Sequence, residues 1–354
     1  MSLFVIGYYA FLIGASCLAA YYKQRQPFLL LFSLTLVSFV LGIIGGISAL
    51  QTVAGAAALL ALAAGTSYAF REFLVAIAPT ETAKELRTAP LTAAFGMFVI
   101  FTFAIAGAFA PVIAPYGEAE VVAGAFAPAD DKLLLGADQL GRDVFSRIVY
   151  GARNTVGLAL VATVLAFLMG AIAGLLAATK GGWFDQVMGR VADIIMSVPS
   201  LIFALLMLSI FGTSLIVIVL VVAVIYSPRV FRLTRAVAGN IVVMDYIEAA
   251  KLRGEGTWYL IRKEILPNST APLIAEFGLE FCFVFLLIAG LSFLGLGIQP
   301  PTADWGSMVR ENATLISFGD ITPLIPAGAI ALLTVAVNFV VDWMLFRSSG
   351  LKEQ

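Results

Sequence analysis

Histidine is absent from this chain of 354 residues, and cysteine occurs only twice, at Cys17 and Cys282. The chain therefore lacks the most common metal ligand and the usual general base of catalysis. Because both cysteines lie in apolar runs far apart in sequence, we expect buried thiols and no disulfide framework. The phosphate-binding pattern G-x-x-x-x-G-K-[ST] is also missing, so the chain has no P-loop with which to hold ATP. These absences predict a protein that is not an enzyme and that holds no metal or nucleotide of its own.

Charge is scarce as well. Charged residues make up 12% of the chain and hydrophobic residues 61%, whereas a soluble domain carries about 25% charged residues. We therefore predict an all-α membrane protein, and we expect no nucleic acid among its partners. The first apolar run has no basic segment before it, which favours a retained span over a cleaved signal peptide.

Apolar runs close to 20 residues long match a hydrocarbon core of about 30 Å. The stretch between Arg25 and Arg71 carries no charge and is too long for one helix, so we expect it to form two. Small residues at 42–46 and 170–174 would permit close helix packing. We predict nine spans, at residues 3–22, 28–48, 52–70, 91–114, 154–178, 191–211, 213–228, 272–294 and 322–346.

The segment 229–264 holds eleven charged residues. At about 3 kcal/mol for each charge at a helix centre, burying these side chains in lipid would cost about 30 kcal/mol. We therefore expect the segment to lie in water. If it is cytoplasmic, most lysines and arginines of the chain fall on the cytoplasmic side, as the positive-inside rule requires. Nine spans then place the amino terminus outside and the carboxyl terminus in the cytoplasm.

Within that segment, "DYIEAAKLR" has good helix formers, "GEG" interrupts them, and "TWYLIRKEI" resumes the helix as far as Pro267. Trp258, Ile261 and Ile265 recur at helical spacing and form one apolar stripe. A helix pair with such a stripe needs something to bury it. By composition alone, this is either an amphipathic loop on the lipid headgroups or a docking element for another protein.

Charged pairs stand in a second polar region, residues 134–153. Asp138 and Arg142, like Asp143 and Arg147, are four residues apart with the acid first, which favours a short surface helix. This is either a solvated charged face or an outer structure that braces the pore mouth or meets a partner.

Prolines should shape the backbone in two stretches. Pro199 is expected to bend its span, either as a static kink or as a hinge. In "SFLGLGIQPPTADWG", the glycines free the backbone while Pro300 and Pro301 stiffen an extended exit. That stretch is either a contact loop or a plain rigid turn.

Two acids lie in the predicted span 272–294, at Glu276 and Glu280. Intramembrane acids are functional candidates by default. Glu276 lies close enough to the span's end to reach the interface, so Glu280 is the stronger candidate for a translocation path. Asp193 and Asp342 lie near predicted cytoplasmic ends, where an interfacial position suffices.

The sequence around residue 250 resembles the EAA loop of ABC importer permeases. That loop has Glu-Ala-Ala, a glycine six residues after the glutamate, and then Ile-Leu-Pro. The matching residues of this chain are Glu248, Ala249, Ala250, Gly254, Ile265, Leu266 and Pro267. In the family this loop is the coupling helix, which sits in a groove of the ATPase subunit. The resemblance thus implies that ATP and Mg²⁺ are bound by partner subunits, and that the Trp258, Ile261 and Ile265 stripe docks there.

Four further stretches are similar, in the same order, to the C-type subunit of the dipeptide/oligopeptide (and nickel) permeases. They are "LLGADQLGRDVFSRIVYGAR", "GGWFDQVMGRVADIIMSVPS", "SPRVFRLTRAV" and "LSFLGLGIQPPTADWGSMV". The resemblance implies a six-span type I importer core at 90–346 and a cytoplasmic tail at 347–354. Residues 1–89 have no counterpart in that core and are expected to form about three additional helices and a cytoplasmic link at 71–90. Ile288 occupies a place where the family commonly has an acid.

The resemblance implies a permease that imports dipeptides or oligopeptides across the cytoplasmic membrane of a prokaryote. Its implied partners are a paralogous permease subunit, two ATPase subunits and an extracytoplasmic binding protein. An oligosaccharide or nickel-complex importer, and an ion-coupled secondary transporter, remain alternatives. The implied outer-loop or binding-protein contacts are Asp138, Gly141, Arg142, Asp143, Gln299, Pro300, Pro301 and Trp305, and the path candidates are Pro199 and Glu280.

Overall fold

A computed structural model describes residues 59–348, together with residues 11, 12, 15 and 34. The chain divides into two compact units, Met1–Leu91 and Thr92–Gln354. Most of the described residues are helical and none lies in a β-strand, which confirms the predicted all-α class. The first two predicted spans and the small residues at 42–46 fall almost entirely outside the described residues.

In the first unit, helix α1 is described over Leu59–Ile77 and helix α2 over Thr80–Arg87. The helix of the third predicted span therefore extends beyond residue 70, and residues 71–77, the first part of the expected link, are helical. Arg71 connects α1 to the residues that follow α2. Its guanidinium donates to the carbonyl of Ala89 at 3.1 Å and lies 5.0 Å from the centroid of the Tyr68 ring.

In the second unit, several helices are long and apolar enough to cross a membrane. They are α3 at Leu91–Ala108, α5 at Val144–Lys180, α8 at Leu215–Val242, α10 at Thr257–Phe293 and α12 at Leu324–Ser348. Shorter helices connect or flank them. These are α4 at Ala110–Ile113, α6 at Gly182–Met196, α7 at Ser200–Phe211, α9 at Asp245–Leu252 and α11 at Trp305–Asn312, followed by a 3₁₀ turn at Ala313–Phe318.

The predicted span 191–211 is not one kinked helix. Helices α6 and α7 meet at 87° across a short break, with Pro199 as the residue before α7. Pro199 has no N–H to donate and restricts Val198 to extended backbone, so the helix ends there and restarts in a new direction. The prediction of a bend at Pro199 is confirmed, but the break is far sharper than a kink.

Helix α8 runs through the predicted span end at residue 228 and continues to Val242. Pro228 lies inside it, and the hydroxyl of Ser227 donates to the Val224 carbonyl that Pro228 cannot serve, at 3.3 Å. Residues 229–242, which the sequence assigns to the polar segment, therefore continue α8 as a helix, and Arg232 and Arg235 within them are exposed. At 28 residues, the helix is about 42 Å long, which exceeds a hydrocarbon core of about 30 Å.

Helix α10 likewise continues through the proline that was expected to end it. A π-helical turn at Leu260–Ile265 leads into the segment that contains Pro267. The amide of Asn268 donates to the Glu264 carbonyl at 2.6 Å and so provides one donor to the interrupted ladder. A second π-helical turn, Ala152–Val156, lies in α5.

The core of the second unit is centred on the close approach of α5 and α8. A Cβ added at Gly170 would lie 2.7 Å from the Val230 Cβ, and one at Gly174 would lie 2.8 Å from the Phe231 carbonyl oxygen. Both distances are too short for a side chain, so only glycine permits this contact. The predicted packing role of the small residues at 170–174 is confirmed.

Candidate functional site

The Glu-Ala-Ala stretch lies in a helix–turn–helix element, here called the elbow, formed by residues 245–265. Helix α9 ends at a left-handed glycine, Gly254, with φ of +84°. The N–H of Gly254 donates to the Lys251 carbonyl at 2.9 Å, and that of Glu255 donates to the Ala250 carbonyl at 3.2 Å. This arrangement is a glycine C-cap, in which left-handed backbone satisfies the last carbonyls of the helix. The predicted helix, glycine turn and second helix are confirmed.

The inner side of the elbow is packed against the chain itself. Ile247, Ala250, Ile261 and Ile265 are buried in one apolar cluster with residues of α5 and α8. The prediction of an exposed stripe is therefore wrong for Ile261 and Ile265, and only Trp258, with 67% of its surface exposed, remains on the outside. These isoleucines fix the elbow to the ends of the long helices.

The outer side of the elbow presents apolar side chains to the surroundings. Leu252, the last residue of α9, is 84% exposed, and it precedes the glycine turn that separates it from Trp258. Sequence reasoning missed Leu252, although it lies inside the predicted motif, two residues after Ala250. Exposed large apolar groups at one turn mark a surface that a partner can cover.

Polar and small residues surround that apolar pair. From the predicted coupling set, Glu248 and Ala249 are exposed, and so are Leu266 and Pro267. The exposed basic residues of the elbow are Lys251, Arg253, Arg262 and Lys263. The outer side of the elbow is thus apolar at its centre and charged at its edges.

A buried charge cluster lies at the opposite ends of the long helices, and is here called the outer cluster. Arg142 bonds to Asp138 at 2.7 Å and to Glu311 at 2.9 Å. Arg147 lies 3.4 Å from Asp138 and 3.6 Å from Glu311, and it donates to the Glu118 carbonyl at 2.9 Å. Since Glu311 follows α10 and Asp138 precedes α5, the cluster connects two segments that are distant in sequence at the same end of these helices.

The i,i+4 pairs do not form the expected surface helix. Asp138 and Arg142 pair in a bend, and α5 begins only after Asp143, whose carboxylate accepts from the Ser146 N–H at 2.8 Å. Gly141 adopts φ of +77° between them. The carboxylate of Asp143 therefore caps a helix and does not face Arg147 as a surface partner.

Trp305 lies at the centre of the same region and is fully buried. Its indole N–H donates to the Ile148 carbonyl at 2.9 Å, and its ring packs edge-on against Phe103. The preceding carboxylate, Asp304, accepts from the Thr155 hydroxyl at 2.8 Å. Burial raises the pKa of Asp304, although these donors oppose the shift.

These positions correct the predicted outer contacts. Asp138, Gly141, Arg142, Asp143 and Trp305 are buried within the chain, so their prediction as residues on a contact surface is wrong. These side chains pack beneath the outer loops instead of lying on their surface. Gln299, Pro300 and Pro301 are exposed in the loop after α10 and stay predicted contacts.

The path candidates lie elsewhere in the second unit. Pro199 is exposed at the break between α6 and α7, whereas Glu280 is only 2% exposed and lies midway along α10. Glu276 is partly exposed on the same helix, and Asp193 and Asp342 are exposed. Within the described residues, no group of three acidic or sulfur ligands is arranged to hold a metal ion.

Comparison with known proteins places this geometry in context. Residues 166–348 match the family "Binding-protein-dependent transport system inner membrane component". The di/tripeptide transport system permease protein of Pseudomonas aeruginosa is 34% identical over 70% of this chain and 84% of its own length. The dipeptide permease of Alkalihalophilus pseudofirmus is 33% identical over 74% and 86%, and the glutathione permease of Pectobacterium atrosepticum is 33% identical over 59% and 69%.

Among solved structures, an amino acid ABC transporter crystallised with histidines is 21% identical, over 58% of this chain and 94% of that one, with a TM-score of 0.43. The family match spans the helices that carry the elbow, and the curated relatives extend the similarity further along the chain. This chain therefore belongs to the binding-protein-dependent transport system inner membrane components, the permease subunits of ABC importers.

Proposed function

We propose that this chain is the permease subunit of an importer for dipeptides and oligopeptides. The support for the substrate class is that relatives at 33–34% identity are named as permeases for di- and tripeptides, and for glutathione, which is itself a tripeptide. The fold supplies membrane-spanning helices, while substrate selection is shared with a separate binding protein.

The proposed assembly contains four kinds of subunit. A paralogous permease pairs with this chain, two ATPase subunits bind ATP and Mg²⁺, and an extracytoplasmic binding protein delivers the peptide. The missing P-loop supports this division of labour, because a chain without a nucleotide site needs an external source of ATP energy. Gln299, Pro300 and Pro301 are the exposed candidates for meeting the binding protein.

The elbow carries the proposal. Its inner face is packed into the chain, while Leu252 and Trp258 project outward on either side of Gly254. An ATPase groove that covers this face would move the elbow, and the elbow would move the helices that its inner side holds. This movement of the helices would then switch the translocation path between inward-open and outward-open states.

The orientation follows from the same element. With the elbow in the cytoplasm, the outer cluster at the opposite helix ends faces the exterior, where the binding protein acts. Basic side chains at Lys251, Arg253 and Arg262 agree with a cytoplasmic elbow under the positive-inside rule. The carboxyl terminus, which follows α12, would then lie in the cytoplasm.

The test replaces Gly254 with valine in the complete transporter and uses Gly256→Val as a matched control. Gly254 needs left-handed backbone, whereas Gly256 has φ of −78°, which any residue adopts, and neither has an atom within 4 Å of an added Cβ. We expect Gly254→Val to abolish ATP-driven peptide uptake in proteoliposomes while the chain still inserts into the membrane.

Gly256→Val should retain uptake and ATPase co-purification. Normal coupled uptake by Gly254→Val would contradict the role of the elbow. Peptide uptake by the unaltered chain without any ATPase subunit would instead indicate a secondary transporter.

A further inference from the structure

A small group of charged and aromatic residues lies midway along two neighbouring helices, away from the elbow and the outer cluster. Arg229 is at the middle of α8, and Glu276 and Glu280 are near the middle of α10. The Arg229 Cζ lies 5.3 Å from the Tyr226 ring centroid and 5.0 Å from that of Phe283. The guanidinium is therefore held between two ring faces, which stabilise its charge.

Glu280 is the unusual member of this group. Its side chain is 98% buried, and its Oε2 atom has no hydrogen-bond partner among the described residues. Buried polar atoms in proteins are nearly always hydrogen-bonded, so an orphan carboxylate oxygen requires a reason. Within a membrane span that reason is most often function, because the cost of burying the acid is high.

The charges of the group do not balance. Arg229 acts electrostatically on both glutamates, yet no carboxylate lies within 4.0 Å of it in the part of the chain described. With both glutamates ionised, one positive charge faces two negative charges, and a cationic hydrogen-bond donor would balance them.

The surroundings restrict the position of such a donor. The Tyr226 hydroxyl donates to the Phe283 carbonyl at 3.1 Å, which ties the ring on α8 to the backbone of α10. Arg229 and Glu276 are each partly exposed, whereas Glu280 is buried. The two partly exposed members give a donor from outside the chain a side from which to approach the group.

We propose that Glu280 accepts the α-ammonium group of a peptide as the peptide crosses the membrane, with Arg229 and Tyr226 as positioning residues. This inference rests on the proposed function. An ammonium supplies three charged N–H donors, which form strong hydrogen bonds with a carboxylate oxygen. It fits the group better than a metal ion, since no third ligand is arranged beside the two glutamates in the described residues.

The experiment compares two peptides in proteoliposomes that contain the complete transporter and its binding protein. The substrates are alanyl-alanine and N-acetyl-alanyl-alanine, and uptake is measured at saturating binding protein. The variants are Glu280→Gln, Glu280→Asp and, as a control one turn away, Glu276→Gln. Because the binding protein is the same throughout, its own preference cancels when each variant is compared with the wild type.

We expect Glu280→Gln to lower alanyl-alanine uptake at least tenfold and to change uptake of the acetylated peptide less than twofold. Glu280→Asp should keep most of the preference, and Glu276→Gln should change both rates less than threefold. The second readout is equilibrium binding of the two peptides to the solubilised complex without binding protein. Glu280→Gln should lower the affinity for alanyl-alanine by the same factor of ten and leave that for the acetylated peptide unchanged.

Other results would overturn the inference. An unchanged preference in Glu280→Gln, equal loss of both peptides, or no difference between the peptides in the second readout would each do so. Recovery of both peptides in the double variant Arg229→Gln/Glu280→Gln would assign the pair to structure alone. Absence of ATP-driven uptake by the wild type would refute the proposed function itself, and is thereby distinguished from failure of this inference.

Discussion

The close contact between α5 and α8 predicts a specific penalty for one added methyl group. In Gly170→Ala, the new Cβ would lie 2.7 Å from the Val230 Cβ and 2.9 Å from the Phe231 nitrogen. Ordinary carbon contacts need about 3.5–4.0 Å, so the helices must separate by roughly 1 Å. Overpacking of this kind costs about 1–3 kcal/mol, and two of the three nearest atoms belong to backbone that cannot rotate away.

The matched control is Gly157→Ala in the same helix, where an added Cβ meets no atom within 4 Å. Alanine is better than glycine in a helix by about 1 kcal/mol, so this control should be neutral or slightly more stable. We expect thermal unfolding of the detergent-solubilised chain to place Gly170→Ala about 4–8 °C below the control, for a difference of about 2 kcal/mol. Equal melting temperatures for the two variants would refute the packing argument.

Three further predictions concern the elbow and the outer cluster. Leu252→Ala should leave the melting temperature unchanged, because the side chain is 84% exposed. It should weaken co-purification of the ATPase about tenfold, since burying a leucine contributes about 1.5–3 kcal/mol. Arg147→Ala should destabilise the chain by about 3–5 kcal/mol in thermal unfolding, because it leaves Asp138 and Glu311 with less compensating charge; a loss below 1 kcal/mol would contradict the buried network. Burial raises the pKa of Asp304 in the folded state. The protonated form therefore contributes stability that is complete below the unfolded-state pKa of about 3.9. That stability is lost as the pH rises through the folded-state pKa. The difference in melting temperature, Asp304→Asn minus wild type, should therefore increase from pH 4 to pH 7. A difference that stays flat or falls would contradict a raised pKa of Asp304.

Local chemistry made parts of the elbow predictable from sequence. Glycine between two runs of helix formers identifies the turn at Gly254, because left-handed backbone is accessible to glycine at little cost. Small residues at 170–174 similarly predicted a close helix contact, which the structure contains. In both places the information lies within a few neighbouring residues.

Burial was harder to predict, since it depends on residues far away in sequence. Helical spacing identified the stripe of Trp258, Ile261 and Ile265, but spacing cannot show whether a face is covered by the chain or left for a partner. The structure covers two of the three with α5 and α8. The same limit applies to Arg142, whose second acidic partner is Glu311, 169 residues away.

The prolines of the long helices had different outcomes. Pro228 and Pro267 both lie within continuous helices, where Ser227 and Asn268 provide side-chain donors near the missing N–H. Pro199 lies at the end of its helix, although the Ser197 hydroxyl donates to the Ile194 carbonyl at 2.7 Å. A proline in an apolar run therefore does not by itself identify a helix end.

Helix α10 joins the elbow to the opposite side of the unit without interruption, over Thr257–Phe293. Its 37 residues make a rod about 55 Å long. A lever of that length converts a rotation of about 10° at one end into a displacement of about 10 Å at the other. We therefore expect a force applied at Trp258 to reach the loop that carries Gln299, so that one helix would connect both faces of the membrane.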